Sequence, residues 1–186
     1  MTFFINFEAK KMDLKKYIRS IPDYPKKGIL FRDITTLIKD KDAFKECIDQ
    51  MSKILMKLNF DKIASIESRG FVFASALCYN LSRPLILMRK KNKLPAEKYS
   101  QEFVLEYGKA ILEIHKDSIE PKEKVLIVDD LIATGGTSEA GAKLVEKSGG
   151  IVTGFLFVIN LFDLGGKNLL ENKGYKTFSL IEFPGH

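Results

Sequence analysis

Cysteine and histidine are scarce in this chain, with two of each among 186 residues. Cys47 falls in a helical pattern and Cys78 follows an apolar run, so we expect both to be thiols in or near the core, in a reducing compartment. His115 and His186 stand apart and show no metal-ligand spacing. The sequence therefore argues against a disulfide framework and against a structural zinc site.

Long hydrophobic runs are also missing. No apolar stretch approaches the roughly 20 residues that a membrane-spanning helix needs. The start, MTFFINFEAKKMD, has no basic segment before its apolar residues and no clear cleavage site, which argues against a secretory signal. We therefore expect a cytoplasmic protein with no membrane partner, in which residues 1–12 extend a single domain over residues 13–186.

Acidic residues are outnumbered: 24 Asp and Glu face 30 Lys and Arg, for a net charge of +6. A basic balance suits nucleic acid or a polyanionic small substrate. The lysines are spread along the chain, which favours a solvated surface over a nucleic-acid interface. The one dense basic cluster is RKKNK, at residues 89–93.

Hydrophobic periodicity predicts alternating helices and strands. We expect helices over residues 13–20, 40–58, 70–79 and 137–148, a loop over residues 26–33, and strands over residues 62–66, 84–88, 99–105, 110–114, 124–128, 151–161 and 177–181. This order predicts an α/β fold with a mostly parallel central sheet flanked by helices. The hairpin-like segment 99–114 breaks the alternation, so we expect it to lie above the sheet as a flap.

Residues 125–138, VLIVDDLIATGGTS, form the most informative segment. An apolar run typical of a strand buried on both faces leads into Asp129 and Asp130. Gly135 and Gly136 permit a tight turn, and Thr137 is a candidate N-cap for the helix that follows. Free amides and the helix dipole at such a turn favour an anion.

A strand, a glycine turn and a helix also occur without any ligand, so that pattern alone leaves structural and functional interpretations equally open. The adjacent aspartates favour function, because two carboxylates after an apolar strand repel one another and gain nothing from burial. A cation or ligand hydroxyls would relieve this conflict. The segment has neither the Gly-Lys-Ser/Thr ending of a Walker loop nor a GxGxxG pattern.

The segment closely resembles the phosphoribosyl-pyrophosphate motif of the type I phosphoribosyltransferases: a hydrophobic strand, two acidic residues and a Thr-Gly-Gly-Thr-type loop. The resemblance implies that Asp129 and Asp130 face the ribose hydroxyls, directly or through a metal shell. It also implies a loop for the 5′-phosphate, made of Ala133, Thr134, Gly135, Gly136 and Thr137.

A second strand-to-helix turn is Glu67-Ser68-Arg69-Gly70. Its amides are free for an anion, and Arg69 adds a fixed cation. Alone it reads as an ordinary surface turn, but both turns are expected at the carboxyl edge of one sheet, where such folds bind ligands. In the family this turn holds pyrophosphate, which implies that role for Ser68 and Arg69.

The segment RKKNKLP, residues 89–95, is similar to the RK-x-x-KLP segment of the adenine branch of this family. By itself it is explained by a solvated charge run. The resemblance implies a flexible basic flap that closes over the leaving pyrophosphate and excludes water. Arg89, Lys90 and Lys93 are the cations expected to hold pyrophosphate, and Asn92 stands where glycine is frequent.

LEYGKA, residues 105–110, also resembles the adenine branch. The resemblance implies that Glu106 is the catalytic residue that handles the purine proton, and that Tyr107 closes over the ribose and pyrophosphate. Without the resemblance, a glutamate beside an aromatic residue at a hairpin would be interpreted as part of an ordinary turn.

Residues 21–25, IPDYP, and 28–33, GILFRD, resemble the base-binding turn of the same branch. There the backbone at Leu30 and Arg32 would read the purine edge and Phe31 would stack on the ring, although Phe31 also suits a loop packed on the core. Leu161 matches the apolar residue that closes the pocket. Asn160 departs from the family, where an acidic residue is usual.

Together these segments span residues 13–183. They imply a purine salvage enzyme of the type I phosphoribosyltransferase fold, with a small hood beside the sheet. The partners implied are phosphoribosyl pyrophosphate, adenine, a second copy of the chain, and Mg²⁺ held mainly through substrate and water; no nucleic acid is expected.

Three other interpretations stay open. A phosphoribosyltransferase for another purine is disfavoured by the FRD and LEYG segments. A non-catalytic regulator that binds phosphoribosyl pyrophosphate would need a DNA-binding module, for which the chain has no spare ~60 residues. A structural or RNA-binding protein leaves the aspartate pair unexplained.

Overall fold

The computed structural model describes residues 12–105 and 108–185. No helix in these two ranges is long and apolar enough to cross a membrane. Short 3₁₀ turns occur at Leu14–Tyr17 and Phe162–Leu164. The strands are β1 (Arg19–Ile21), β2 (Phe31–Asp33), β3 (Lys62–Ile66), β4 (Leu85–Lys90), β5 (Lys98–Leu105), β6 (Gly108–His115), β7 (Lys124–Ile132), β8 (Ile151–Leu161) and β9 (Thr177–Phe183). The helices are α1 (Thr35–Ile38), α2 (Lys41–Leu55), α3 (Gly70–Leu81), α4 (Gly136–Lys147) and α5 (Gly166–Asn172).

Seven strands form one sheet in the order β5-β6-β4-β3-β7-β8-β9. Strands β4, β3, β7, β8 and β9 are parallel, whereas β6 is antiparallel to both β4 and β5. Helices α3, α4 and α5 each connect two of the parallel strands, so the carboxyl ends of those strands lie at one edge. The predicted α/β fold with a mostly parallel sheet is confirmed.

Both faces of the sheet are covered by apolar cores, because successive side chains of a strand point to opposite faces. Strand residues in the core with α2 and α3 include Ile63, Leu126, Val128, Leu156 and Val158. Strand residues in the core with α4 include Ala64, Ile66, Val125, Ile127, Phe155 and Phe157. This double burial explains why β7 and β8 are almost continuously apolar.

The predicted helix at residues 40–58 is α2. Asp40 caps its start, accepting hydrogen bonds from the N–H groups of Asp42 at 3.1 Å and Ala43 at 2.9 Å. The helix ends at Leu55, three residues before the predicted end, where the N–H of Leu58 bonds the carbonyl of Leu55 at 2.9 Å in a tight turn.

The prediction for residues 13–20 is wrong, and the loop prediction for residues 26–33 is wrong over residues 31–33. Residues 13–20 have helical apolar spacing, yet they form only a 3₁₀ turn followed by β1. Residues 26–33 were expected to be a loop, yet they contain β2, which pairs antiparallel with β1 in a separate two-stranded sheet. Pairing between these two segments overrides the local pattern, and the short helices α1 and α5 had no strong signal.

The hairpin of β5 and β6 belongs to the main sheet and does not lie above it as a separate flap. β4 pairs with β3 through Met88, and then with β6 at Arg89 and Lys90. The hairpin is therefore attached at the carboxyl end of β4. It also packs beside α4, so that Val104 and Gly136 face the same small cavity.

Candidate active site

A cavity of about 500 Å³ opens at the carboxyl edge of the sheet. Its walls come from the turn after β3, the end of β7, the loop before α4 and the β5–β6 hairpin. The predicted site residues that line it are Phe31, Ser68, Arg69, Lys90, Asp129, Asp130, Ala133, Thr134, Gly135, Gly136 and Thr137. The two predicted anion-binding turns therefore meet in one cavity.

Asp129 and Asp130 lie within β7 and not after it. The strand continues to Ile132, because β8 supplies a pairing partner as far as Asn160. Asp129 Oδ1 accepts a hydrogen bond from the N–H of Asp130 at 2.9 Å. Arg69 Nε lies 2.9 Å from Asp130 Oδ2, whose side chain is 5% exposed.

Both aspartate pKa values are displaced upward. Burial raises the pKa of Asp129 well above its ordinary value, and the neighbouring charge of Asp130 raises it further. Burial also raises the pKa of Asp130, although the positive charge of Arg69 opposes this. The pair is thus a site where a cation or hydroxyl donors would be stabilised.

The loop at residues 133–137 has the geometry of an anion site. Gly135 has a φ of +87° and stands at the N-cap of α4, where no side chain caps the helix. The predicted N-cap role of Thr137 is therefore wrong, because the helix already begins at Gly136. In the part of the chain that the structure describes, the N–H groups of residues 134–138 donate to no protein acceptor, which leaves them free for a ligand.

Gly166 forms the floor under this loop, a role that the sequence did not suggest. The N–H of Gly166 donates to the carbonyl of Ala133 at 2.9 Å. A Cβ at position 166 would lie 2.3 Å from that carbonyl oxygen and 2.7 Å from the nitrogen of Gly135. Only glycine lets α5 approach the loop this closely.

A second cavity, of about 900 Å³, adjoins the first. It is lined by the four predicted base-contacting residues, Leu30, Phe31, Arg32 and Leu161. Its walls also include Leu131, Leu164 and Gly185, which the sequence did not suggest. The two cavities share a wall made of Phe31, Arg69, Leu131, Ala133, Thr134 and Thr137.

Phe31 is supported at its edge by Tyr24, with ring centroids 5.2 Å apart at 76°. The guanidinium of Arg69 lies 5.4 Å from the centroid of Phe31. An aromatic face beside leucine side chains suits a flat heterocycle.

The side chain of Arg32 contacts residues near the carboxyl end of the chain. It is buried, donates to Ser20 Oγ and to the carbonyl of Pro184, and lies 4.4 Å from the ring centroid of Phe183. Asp163 Oδ1 accepts from the N–H of Gly185 at 2.6 Å. These contacts place Gly185 in the wall of the second cavity.

Asn160 does not contact the second cavity. It precedes Leu161 on β8, so their side chains point to opposite faces of the strand. Its Nδ2 donates to Glu182 on β9 at 3.3 Å, while Oδ1 has no hydrogen-bond partner among the described residues.

Two cations of the basic segment are paired with a carboxylate that the sequence had not singled out. Arg89 Nε lies 3.1 Å from Glu67 Oε2, and Lys93 Nζ lies 2.6 Å from Glu67 Oε1. The peptide between Glu67 and Ser68 is cis. Lys90 lines the first cavity and makes no ion pair within the described residues.

Glu106 and Tyr107 lie outside the described residues, so their predicted roles stay predictions. The residues beside them pair as Leu105 with Gly108 at the end of the hairpin. Phe103, Ala110 and Leu112 of the same hairpin line the first cavity.

The described residues contain no cluster of three or more His, Cys, Asp or Glu that would hold a metal alone. The carboxylate pair Asp129 and Asp130 offers oxygen atoms beside the anion-binding turns. Mg²⁺ prefers oxygen ligands and commonly combines one or two carboxylates with phosphate oxygens and water. The residues therefore fit a magnesium ion that is bound mainly through a phosphorylated substrate.

A family model described as "Phosphoribosyl transferase domain" matches residues 34–181. A protein of Pelagibacter ubique named adenine phosphoribosyltransferase is 66% identical over 175 residues, which cover 94% of this chain and 100% of that protein.

Comparison with solved structures identifies the same family. Adenine phosphoribosyltransferase from Thermoanaerobacter pseudethanolicus has a TM-score of 0.88 at 49% identity, covering 91% of this chain and 98% of that one. The Saccharomyces cerevisiae enzyme, complexed with an imino-altritol bisphosphate and adenine, has a TM-score of 0.83 at 33% identity, covering 90% and 96%. The chain belongs to the phosphoribosyltransferase family and, within it, to the adenine phosphoribosyltransferases.

Proposed function

We propose that this chain transfers the phosphoribosyl group of 5-phosphoribosyl 1-pyrophosphate to N9 of adenine, producing AMP and pyrophosphate in purine salvage. The observation that carries this proposal is the shared wall between the two cavities. One cavity contains the anion-binding turns and the carboxylates. The other contains Phe31 and four leucines, with Lys27, Arg32 and Arg69 also in its lining. A sugar whose C1′ lies at the junction would face pyrophosphate on one side and a base on the other.

The loop at residues 133–137 binds the 5′-phosphate. Its free amides and the positive end of α4 stabilise the phosphate charge, and Gly166 holds the loop in place. Ser68 and Arg69 in the turn after β3 bind the pyrophosphate, together with Arg89, Lys90 and Lys93.

Asp129 and Asp130 orient the ribose. Breaking the bond from C1′ to pyrophosphate develops positive charge on the sugar, which a neighbouring carboxylate stabilises. Burial raises the pKa of both aspartates, and the charge of Asp130 raises the pKa of Asp129 further, while Arg69 partly offsets the effect of burial at Asp130. The ribose hydroxyls and the sugar cation supply the missing compensation.

A magnesium ion bound with the substrate would neutralise charge on the leaving pyrophosphate. Asp129 and Asp130 are the described residues that would face its water shell. Asp130 would keep its ion pair with Arg69 in this arrangement.

The second cavity binds adenine. Phe31 stacks on the ring, Leu161 closes the pocket, and the backbone at Leu30 and Arg32 reads the purine edge. We assign proton transfer at the purine to Glu106 and closure over the ribose to Tyr107, on the family resemblance of LEYGKA.

We also propose a homodimer. Helix α3 exposes Val72 and Tyr79, whose relative exposures are 39% and 88%, and the neighbouring β4 exposes Leu87 at 39%. Apolar side chains exposed on adjacent elements are typical of a protein interface. Light scattering coupled to size exclusion should give twice the chain mass, and Tyr79→Lys should shift it toward the monomer.

We propose a cytoplasmic location for this enzyme. Both cysteines are buried free thiols, as expected in a reducing compartment. Fractionation of the source cells with an antibody to the chain should place it with cytoplasmic markers.

The activity test combines the protein, Mg²⁺, adenine and phosphoribosyl pyrophosphate and measures AMP. Formation of AMP supports the proposal, and its absence with folded protein contradicts it. Competition with hypoxanthine and guanine distinguishes another purine specificity. Binding of phosphoribosyl pyrophosphate without turnover would indicate a non-catalytic regulator.

A further inference from the structure

Glu67 is an acidic side chain, in addition to Asp129 and Asp130, in a cavity whose turns suit anions. It lines the first cavity, and its side chain is only 9% exposed. The register between β3 and β4 pairs Ile66 with Met88, so Glu67 and Arg89 emerge side by side at the sheet edge. A carboxylate here repels pyrophosphate, so its presence calls for a compensating role.

The carboxylate of Glu67 accepts three hydrogen bonds from the basic segment. Arg89 Nε donates to Oε2 at 3.1 Å, and the N–H of Lys90 donates to the same oxygen at 2.9 Å. Lys93 Nζ donates to Oε1 at 2.6 Å. Both oxygens are used, and both ends of the segment 89–93 are attached to one residue.

The opposite side of the segment is attached to β6. The N–H of Lys91 donates to the carbonyl of Ile111 at 3.1 Å, and the N–H of Asn92 donates to Glu113 Oε2 at 2.9 Å. Asn92 has a φ of +65°, a conformation that asparagine tolerates better than most residues. With the backbone held by β6, the freedom that remains belongs to the cationic side chains.

Glu67 orients these cations without cancelling them. Arg89 uses only Nε, which leaves its two terminal nitrogens for an anion. Lys90 lines the cavity, and its side chain forms no ion pair within the described residues, although its N–H donates to Glu67. Arg89, Lys90 and Lys93 carry three positive charges, against the one negative charge of Glu67.

We propose that Glu67 is a positioning residue for pyrophosphate, which acts by holding Arg89 and Lys93 in place before the substrate binds. The inference rests on the proposed function. Ordering two long side chains in advance removes part of the entropy that binding would otherwise lose. This gain outweighs the repulsion between Glu67 and the pyrophosphate.

The experiment compares wild type with Glu67→Gln, a change that keeps the shape and removes the charge. We measure the KM for phosphoribosyl pyrophosphate, the KM for adenine, and the affinity for inorganic pyrophosphate by calorimetry at fixed Mg²⁺. We expect the KM for phosphoribosyl pyrophosphate and the dissociation constant of pyrophosphate to rise about fivefold to tenfold. The KM for adenine should change less than twofold.

Lys93→Met tests the same contact from a half-exposed position. It should cause a similar loss, and the double variant should lose little more than either single variant. Glu123→Gln is the matched control, because Glu123 pairs with Lys62 at 2.8 Å at the opposite end of the sheet. It should leave both KM values unchanged.

Unchanged or tighter pyrophosphate binding by Glu67→Gln would overturn the proposal, and so would fully additive losses in the double variant. If Glu67→Gln fails to fold, the Lys93→Met variant is sufficient as a test: unchanged pyrophosphate binding by that variant would overturn the proposal. The calorimetry measures pyrophosphate binding and needs no turnover. It therefore tests the role of Glu67 even if the proposed activity is wrong. A wrong activity would instead appear as folded wild-type protein that makes no AMP.

Discussion

Individual residues at the candidate site are arranged for ligand binding at the expense of local stability. Asp129 and Asp130 are adjacent carboxylates whose burial raises both pKa values. Among the described residues Arg69 forms an ion pair with Asp130 but not with Asp129. Relieving the repulsion should therefore stabilise the protein while damaging its activity.

Asp129→Asn tests this trade-off. We expect the melting temperature to stay the same or rise, because a buried charge is removed, while kcat falls by about 100-fold because the sugar cation loses a stabilising charge. Thermal unfolding and AMP formation provide the two measurements. Asp117→Asn, in an exposed turn, is the control, and a marked loss of stability in Asp129→Asn would contradict this account.

Glu67 gives a pH-dependent contribution to stability. Burial by itself would raise its pKa, but hydrogen bonds from Lys93, the N–H of Lys90 and Arg89 outweigh burial and lower the pKa to about 2. The contribution is therefore present above the ordinary pKa of 4.5 and is lost as the pH falls from 4.5 toward 2.

We expect wild type to be more stable than Glu67→Gln at pH 7, and the difference to shrink steadily below pH 4.5. Urea unfolding of both proteins at pH 7, 4.5 and 3 measures the difference. A gap that stays constant or widens on acidification would show that the three hydrogen bonds do not favour the ionised carboxylate.

Among the elements, α5 has the least expected role. The sequence predicted no helix over Gly166–Asn172, yet its first residue supports the phosphate loop. The positions that interact are about 30 residues apart, so neither the loop nor the helix reveals the contact locally. A similar cause explains β1 and β2, where pairing between segments replaced a helical pattern.

Gly166→Ala should push the loop at residues 133–137 away from its position. We expect the KM for phosphoribosyl pyrophosphate to rise at least tenfold, because the new Cβ overlaps backbone atoms that cannot rotate aside. Gly174→Ala is the control: that glycine has a φ of +88° and open space around it, so alanine brings backbone strain without a clash. Equal effects of both changes on KM would mean that the floor contact is unimportant.

At the scale of the whole molecule, the base cavity is assembled from segments far apart in the chain. Phe31 comes from β2, Leu161 from the end of β8, and Gly185 from beyond β9. The position of Gly185 depends on Asp163, whose carboxylate accepts a hydrogen bond from the N–H of Gly185 at 2.6 Å. A change in the cavity wall near the carboxyl end of the chain should therefore weaken the binding of adenine more than the binding of phosphoribosyl pyrophosphate.

Asp163→Ala removes that hydrogen bond. We expect the KM for adenine to rise about threefold to tenfold, as the loss of one hydrogen bond implies, with the KM for phosphoribosyl pyrophosphate nearly unchanged. Initial rates at varied concentrations of each substrate measure the two values. If both KM values change equally, Asp163 supports the whole site and not the base wall.

The sequence by itself determined the seven strands of the main sheet, helices α2, α3 and α4, the mostly parallel sheet and the ligand class. Those properties rest on local signals: apolar runs for buried strands, glycines and amides for a phosphate turn, and paired aspartates for a polar ligand. Tertiary structure alone decided that β7 continues through the aspartates, that Glu67 binds Arg89 and Lys93, and that Gly166 and Gly185 complete the cavities. Each of these depends on which strands and loops become neighbours, and the register between distant segments sets that.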